Sequence, residues 1–341
     1  MHETEVLSAP GPICFPKGSA RDLNGAMDQI FELFPDQYPV LLSEDAMHWT
    51  IGRTWPADAS WYVDPNIESN ATHVFGCNLR ALAEYCLNGV VAGIPVLITM
   101  FHSRALMVPA LARLMNGVLS LGTIIHVDDH ADSMPALLSV QPIGLFESTT
   151  GVQLDLDSIE SAAHAIDEGV VNIGNFLTAY MLGKPPGRYI HVKRDLDAEK
   201  MLLVPTTRHV HLGAQKLELT ALERGSPSDS ARWTCETVSQ LPMDVPSDDG
   251  AIWLDIDMDG FCNRYDGDSN NRAVQGTELE RLTTRRRIDD FIFLLRRASW
   301  LERIGAVSIA ASPGFFPSDL WEEMIPLVRR GVAAALVSVR T

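Results

Sequence analysis

The sequence predicts an α/β fold built on a mainly parallel central sheet, and three observations carry that prediction. Short apolar runs alternate with segments of helical spacing over most of the chain, the pattern of βαβ units. Several runs are continuously apolar, as buried strands are. Acidic and histidine clusters follow directly after those runs, where parallel sheets gather their functional groups, outside the carboxyl ends of the strands.

The elements can be justified in order. Residues 1–90 are rich in Pro, Trp and Asp and read as an irregular lead-in around a short strand at 38–43, with helical spacing from 71 to 91. Residues 94–100 (IPVLITM) suit a buried strand, 105–119 a helix punctuated by Gly122, and 123–127 (TIIHV) the next strand. Helices are expected at 159–169 and 175–182, the second closed by Gly183 and Pro185-Pro186. Strands follow at 188–192, 201–204 and 251–258. A helix with a basic face is expected at 285–301, a strand at 306–311 and a last helix at 322–332. The long polar stretch 205–249 reads as an insertion or a substrate-binding flap within one catalytic domain spanning 1–341.

Composition narrows the function classes. The 341 residues are 46% hydrophobic and 21% charged, values of an ordinary globular enzyme. No apolar run is long enough to span a bilayer, and the acidic start lacks the features of a signal peptide, so a cytoplasmic location is expected. The net charge of −17 disfavours nucleic acid, whose binding draws on basic residues. It would suit a cationic substrate. Five scattered cysteines without a C-x-x-C pair argue against a disulfide framework and a thiolate metal site. A homo-oligomer is compatible with all of this.

Three strands end in potential metal ligands. The run 96–100 leads to Phe101-His102, the run 123–127 to Asp128-Asp129-His130-Ala131-Asp132, and the run 251–254 to Asp255-Ile256-Asp257-Met258-Asp259. Alternation along a strand lets Asp128, His130 and Asp132 project together, and likewise Asp255, Asp257 and Asp259, while Ile252, Leu254, Ile256 and Met258 face the core. So many carboxylates share a cleft only when cations neutralise them. The mixed imidazole and carboxylate set suits Mn²⁺ or a similar divalent ion. Singly, each motif also fits an acidic loop. An EF-hand reading uses Asp255, Asp257, Asp259, Gly260 and Asp266 but needs a preceding helix, whereas residues 251–258 read as a strand.

These motifs resemble the ureohydrolase superfamily of arginases and agmatinases. Its signature of a His after one strand, D-x-H-x-D after the next and D-x-D after a later one is met by His102, by Asp128, His130 and Asp132, and by Asp255 and Asp257. Closer still is the resemblance to peptide arginases that mature ribosomally made peptides, through residues 126–132 (HVDDHAD) and 254–261 (LDIDMDGF). The resemblance covers 94–134 and 250–262 and extends more loosely to 171–180 and 308–315. It implies a three-layer αβα, arginase/deacetylase-like architecture and hydrolysis of peptide-borne arginine to ornithine and urea, on an arginine-containing precursor peptide. It also implies two divalent metal ions, Mn²⁺ by the family's pattern, bridged by Asp128 and Asp255. His102 and Asp132 would complete one site, His130 and Asp257 the other.

The departures bear on specificity. Ordinary arginases continue D-x-D with Asp-Pro, whereas this chain has Asp259-Gly260-Phe261. They hold the guanidinium with a glutamate after the last sheet strand, where this chain has Ala310-Ala311-Ser312-Pro313, and no histidine after Asp132 takes the place of their proton shuttle. Asp129, Asp259 and His164 are the candidates for the proton donor. His126 reads as orienting a ligand or as structural, Asn172 and Asn175 as substrate-recognising or capping, and His48, His73, His191, His209 and His211 as structural. The rival readings are a small-molecule ureohydrolase, a one-zinc deacetylase-like amidohydrolase and a non-catalytic metal-binding protein.

Overall fold

The computed structural model describes residues 10–340 except 36, 55–62, 79–85, 118–120, 185–186, 195–198, 211–213, 222–232, 247–249, 269 and 272–273. A nine-stranded sheet organises it. The strands are β4 (Cys86–Val91), β5 (Ile94–Thr99), β6 (Leu121–Val127), β10 (Gly187–Val192), β11 (Glu199–His209), β12 (Gln215–Ala221), β13 (Trp233–Val238), β14 (Ala251–Asp257) and β15 (Ile304–Ala310). Their order is β12-β11-β13-β10-β6-β14-β15-β5-β4. From β13 to β5 every neighbouring pair is parallel; β4, β11 and β12 add antiparallel edges. The three-layer αβα architecture is therefore present. After β6 the chain steps to β10 on one side, while β14 lies on the other, a switch point that opens a crevice at the strand ends.

Strand alternation sorts the two cores. Ile252, Leu254, Ile256 and Met258 lie in the cluster that packs against helices Glu278–Leu295 and Trp321–Ser338. Trp253 faces the other cluster, with helices Ile159–Asp167 and Phe176–Gly183. Two smaller three-stranded sheets complete the strands: β1 (Ile13–Pro16), β3 (His48–Thr54) and β2 (Tyr38–Glu44) in that order, and β7 (Leu138–Gln141), β8 (Gly144–Glu147) and β9 (Gln153–Leu154).

The described part of the lead-in is more ordered than its composition suggested. Its antiparallel sheet is pinned to the body by the buried Arg53, which donates to Gly11 O at 3.0 Å and Glu168 Oε2 at 2.7 Å. The helix expected at 71–91 is instead a helix at Ile67–Phe75 and strand β4. Gly76, in the left-handed region at φ 67°, stops the helix, and Ala92-Gly93, both at positive φ, turn β4 into a hairpin with β5. Residues 79–85 of that expectation, and 118–119 of the helix expected at 105–119, lie outside the described residues, as do Pro185-Pro186 and His211. Of the stretch 205–249, residues 205–209, 215–221 and 233–238 are strands of the main sheet. The helix expected from 285 begins at Glu278, because Thr277 caps it by accepting from Glu280 N at 3.1 Å.

Candidate metal centre

Register across the sheet assembles the first tier of the site. His191 on β10 pairs with His126 on β6, His126 with Asp255 on β14, and Asp255 with Ser308 on β15, so four polar side chains form one transverse row. Such residues in a buried sheet need partners. His126 Nδ1 lies 2.8 Å from Asp255 Oδ2, and Ser308 donates its hydroxyl to Asp255 Oδ1. His191 Nε2 donates to the backbone carbonyl of Asp128 at 3.1 Å, fixing the turn that follows β6.

The second tier comes from the strand ends. His102 opens a buried 3₁₀ turn, His102–Met107, directly after β5. Its Nε2 lies 3.0 Å from Asp255 Oδ2, and its Nδ1 lies 3.1 Å from Asp128, 2.9 Å from Asp132 and 2.9 Å from Asp257. His126 Nε2 adds a contact of 3.2 Å to Asp128 Oδ2. His130, partly open to solvent, lies 3.0 Å from Asp259 Oδ2 and 3.6 Å from Asp128 Oδ1. Phe176 covers His102 with ring centroids 4.6 Å apart. Ser312 donates to Asp257 at 2.9 Å.

The backbone is bent to achieve this. Of the four non-glycine residues with positive φ among those described, Asp132 (45°), Asp266 (52°) and Ser312 (50°) lie at the cluster. Such strain persists where surrounding structure over-determines it. Gly260 allows the close approach of the β14 turn to β6, since a Cβ there would meet Asp128 Cα and N at 3.0 Å. Gly260→Ala should therefore displace the Asp128 backbone, costing about 1–3 kcal/mol of stability and lowering metal affinity. Thermal melting with metal titration checks this, and unchanged affinity would contradict it.

Electrostatics show how crowded the centre is. Burial and the Asp128 charge push the Asp132 carboxyl up to about 6 despite its contact with His102. The same two influences raise Asp259 and Asp257. Burial opposes ionisation of Asp128 and Asp255 as well, yet the histidines against them hold both below the usual carboxylate range. Conversely, His126 is pushed up to about 10: burial works against its charge, but Asp128 and Asp255 prevail. Hydrogen bonding to Asp128 and Asp259 raises His130 to about 12. Burial, helped by charged His126, lowers His191 to about 4, leaving it a neutral donor.

Without metal, protons on the histidines thus balance the carboxylates. His102 Nδ1 and Asp128 Oδ2 are nevertheless buried without a hydrogen bond of acceptable geometry. Cations between them would satisfy both, so the residues fit a metal centre. Three ligand groups can be drawn: His102, His126 and Asp255; His102, Asp128 and Asp132; and Asp128, His130 and Asp259. The last two share Asp128 and make two adjacent metal-binding sites. Metal uptake near neutral pH must expel protons from His102 and His130, whose raised pKa values keep them charged there. Affinity should climb with pH, and calorimetry in buffers of different ionisation enthalpy should show proton release. Buffer-independent enthalpies would contradict that.

His102, Asp128, His130, Asp132, Asp255 and Asp257 thus all come together. Asp259 lies beside His130, at 3.0 Å, and Asp257 beside His102, at 2.9 Å. Asp129 sits at the rim, accepting from Asn263 at 3.0 Å, with Arg194 4.0 Å away. Asp266 also reaches the rim, 3.2 Å from His130 Nε2. His164 lies on helix Ile159–Asp167 beside Glu147, at 3.9 Å, and not in the cluster. Asn172 and Asn175 bond to each other's loop and to Pro135 O. His126, read from sequence as orienting a ligand or as structural, lies against Asp255. His191, Ser308 and Ser312 were not identified as site residues from sequence; for His191 and Ser308 a polar position inside an otherwise apolar strand was the only signal. All five cysteines are unpaired, and no described helix is long and apolar enough to cross a membrane.

Comparison with known proteins finds no matching family profile and no similar curated protein. The αβα fold and the buried His/Asp cluster are consistent with the broader arginase-like ureohydrolase superfamily, and the paired sites suggest a metal-dependent hydrolytic centre with a binuclear divalent-metal cofactor.

Proposed function

We propose that this chain, as a single catalytic domain acting in the cytoplasm, hydrolyses arginine side chains borne on a ribosomally made precursor peptide, leaving ornithine and releasing urea. The observation that carries the reading is the pair of adjacent His/Asp groups sharing Asp128 at the strand ends. His102, Asp128, His130, Asp132, Asp255 and Asp257 would hold two ions, Mn²⁺ by ligand type, with Asp259 supporting His130. Bound ions would supply an activated water and charge stabilisation at the guanidino carbon.

The chain's own residues do the rest. His126 and Ser308 orient Asp255, Ser312 orients Asp257, and His191 fixes the Asp128 backbone. Asp129 is partly exposed, and Asp259 is buried beneath it, accepting from Asp129 N at 3.2 Å. Asp129 has the more exposed side chain and is the better donor for the departing amine; His164, beside Glu147, is the weaker one. A peptide-borne substrate is favoured over free arginine because the stretch Ala310-Ala311-Ser312-Pro313, where arginases carry their recognition glutamate, has no carboxylate, and its Ser312 is engaged with Asp257.

The test is mass spectrometry of an arginine-containing precursor peptide co-expressed with the protein, beside an Asp128→Asn control. Loss of one CN₂H₂ unit per processed arginine, absent in the control, is the expected result. Urea from free arginine or agmatine with no peptide processing would move the assignment to a small-molecule ureohydrolase.

A further inference from the structure

Among the histidines of the cluster, His130 is the one that burial does not hold. Its side chain is 38% exposed, whereas those of His102 and His126 are buried. The ring turns one nitrogen to each side. Nδ1 faces the centre, 3.0 Å from Asp259 Oδ2 and 3.6 Å from Asp128 Oδ1, and Nε2 faces outward, 3.2 Å from Asp266 Oδ1. An ion held by Asp128, His130 and Asp259 would take Nδ1, so Nε2 must carry the ring proton and donate it to Asp266.

The sequence had placed Asp266 at the end of an EF-hand pattern, which the strand Ala251–Asp257 rules out. The structure gives it another setting. Asn263 grips it twice, its Oδ1 accepting from Asp266 N at 2.9 Å and its Nδ2 donating to Asp266 Oδ1 at 3.0 Å. The backbone of Asp266 lies in the left-handed region at φ 52°, and Gly267 follows at 63°. Aspartate enters that region at a cost that the surrounding contacts must offset. They do so by docking the turn on the loop after the strand Ile304–Ala310. Gly267 N donates to Gly314 O at 3.1 Å, and Arg264 N to Phe315 O at 3.2 Å. A Cβ at Gly267 would stand 3.0 Å from the Phe315 ring, and that ring meets His130 edge-on, with centroids 5.1 Å apart. One segment, 263–267, thus braces His130 at Nε2 through Asp266 and on its flank through Phe315.

We infer that Asp266 is the positioning residue for His130. Its carboxylate fixes the tautomer that turns a bare Nδ1 toward the metal, and so sets the affinity of the site made with Asp128 and Asp259. The site made by His102, Asp128 and Asp132 does not depend on it. The inference deepens the proposed function and rests on its two-metal centre, not on its substrate.

The experiment titrates Mn²⁺ into the metal-free full chain and two variants, read by calorimetry and electron paramagnetic resonance. Asp266→Gly keeps the left-handed backbone and removes the carboxylate; Asp266→Asn keeps both the backbone and an acceptor oxygen. In Asp266→Gly the second ion should bind roughly ten- to a hundredfold more weakly while the first binds as before. The spectrum of an uncoupled Mn²⁺ ion should then persist beyond one equivalent. Asp266→Asn should fall between this variant and the unaltered protein. Equal weakening of both ions would make Asp266 a structural part of its turn and overturn the inference, and so would two ions bound as tightly as in the unaltered protein. Failure of the unaltered chain to take up two ions would remove the centre and the inference together. If the expected pattern appears but no guanidine is hydrolysed, the inference stands and the arginase reading falls.

Discussion

Asp128→Asn should lower turnover by about three orders of magnitude and leave the purified protein short of its full complement of two ions. Asp128 belongs to two of the three ligand groups, and its carboxylate faces His102 at 3.1 Å, His126 at 3.2 Å and His130 at 3.6 Å. An amide keeps the shape but offers one neutral oxygen and a donor that repels a cation. Losing several kcal/mol of charge stabilisation in a two-metal site corresponds to a fall of that size. Elemental analysis beside a urea assay reads both consequences. Full metal content with undiminished activity would remove Asp128 from the centre.

Chelation should lower the melting temperature by roughly 10 °C near neutral pH. Each ion held at a hundred times its Kd contributes about 2.7 kcal/mol, and two make about 5. In larger domains each kcal/mol moves the midpoint by about 2–4 °C or somewhat less. The size of the effect should depend on pH in a defined sense. Asp132 has a folded pKa of about 6, above its ordinary value, so its contribution to the metal-free fold is full below about 4 and lost as pH rises through 6. His126 and His130 are raised as well, so theirs are full below about 6.5 and lost as pH climbs toward 10 and 12. The metal-free protein should weaken from mildly acidic to alkaline pH while metal binding strengthens. The gap between loaded and chelated melting curves therefore widens from pH 5.5 to 8; a constant gap would contradict the charge balance described.

The central strands were legible because burial on both faces leaves continuous apolar runs, as at β5, β6, β14 and β15. The ligands were legible because they stand where those runs end. Half-exposed strands leave weaker patterns. β2 was read as the short strand at 38–43, but β3 mixes His48 and Arg53 with apolar residues and β4 carries Asn88 and Gly89, so neither of those two announced a strand. Of β11 only 201–204 was read as a strand; its remainder, β12 and β13 lie toward an antiparallel edge, and their polar residues read as a flap.

The hidden part of the site has one cause, which is lateral strand order. His191 and Ser308 become site residues only because β10 and β15 flank β6 and β14, and no local pattern specifies that adjacency. The approach of Asp259 to His130 has a similar origin. Strand alternation ends at Asp257, and a 3₁₀ turn, Met258–Gly260, re-aims Asp259 across to the β6 loop, where Asp129 N donates to it at 3.2 Å.

The binuclear centre is tested most directly by anomalous diffraction from crystals grown with Mn²⁺. Two peaks about 3.5–4 Å apart are expected, one against His102 and Asp132 and the other against His130, with Asp128 between them. A single peak would favour a one-metal, deacetylase-like site. No peak, with His102 and His130 still paired directly to the carboxylates, would contradict the metal centre itself.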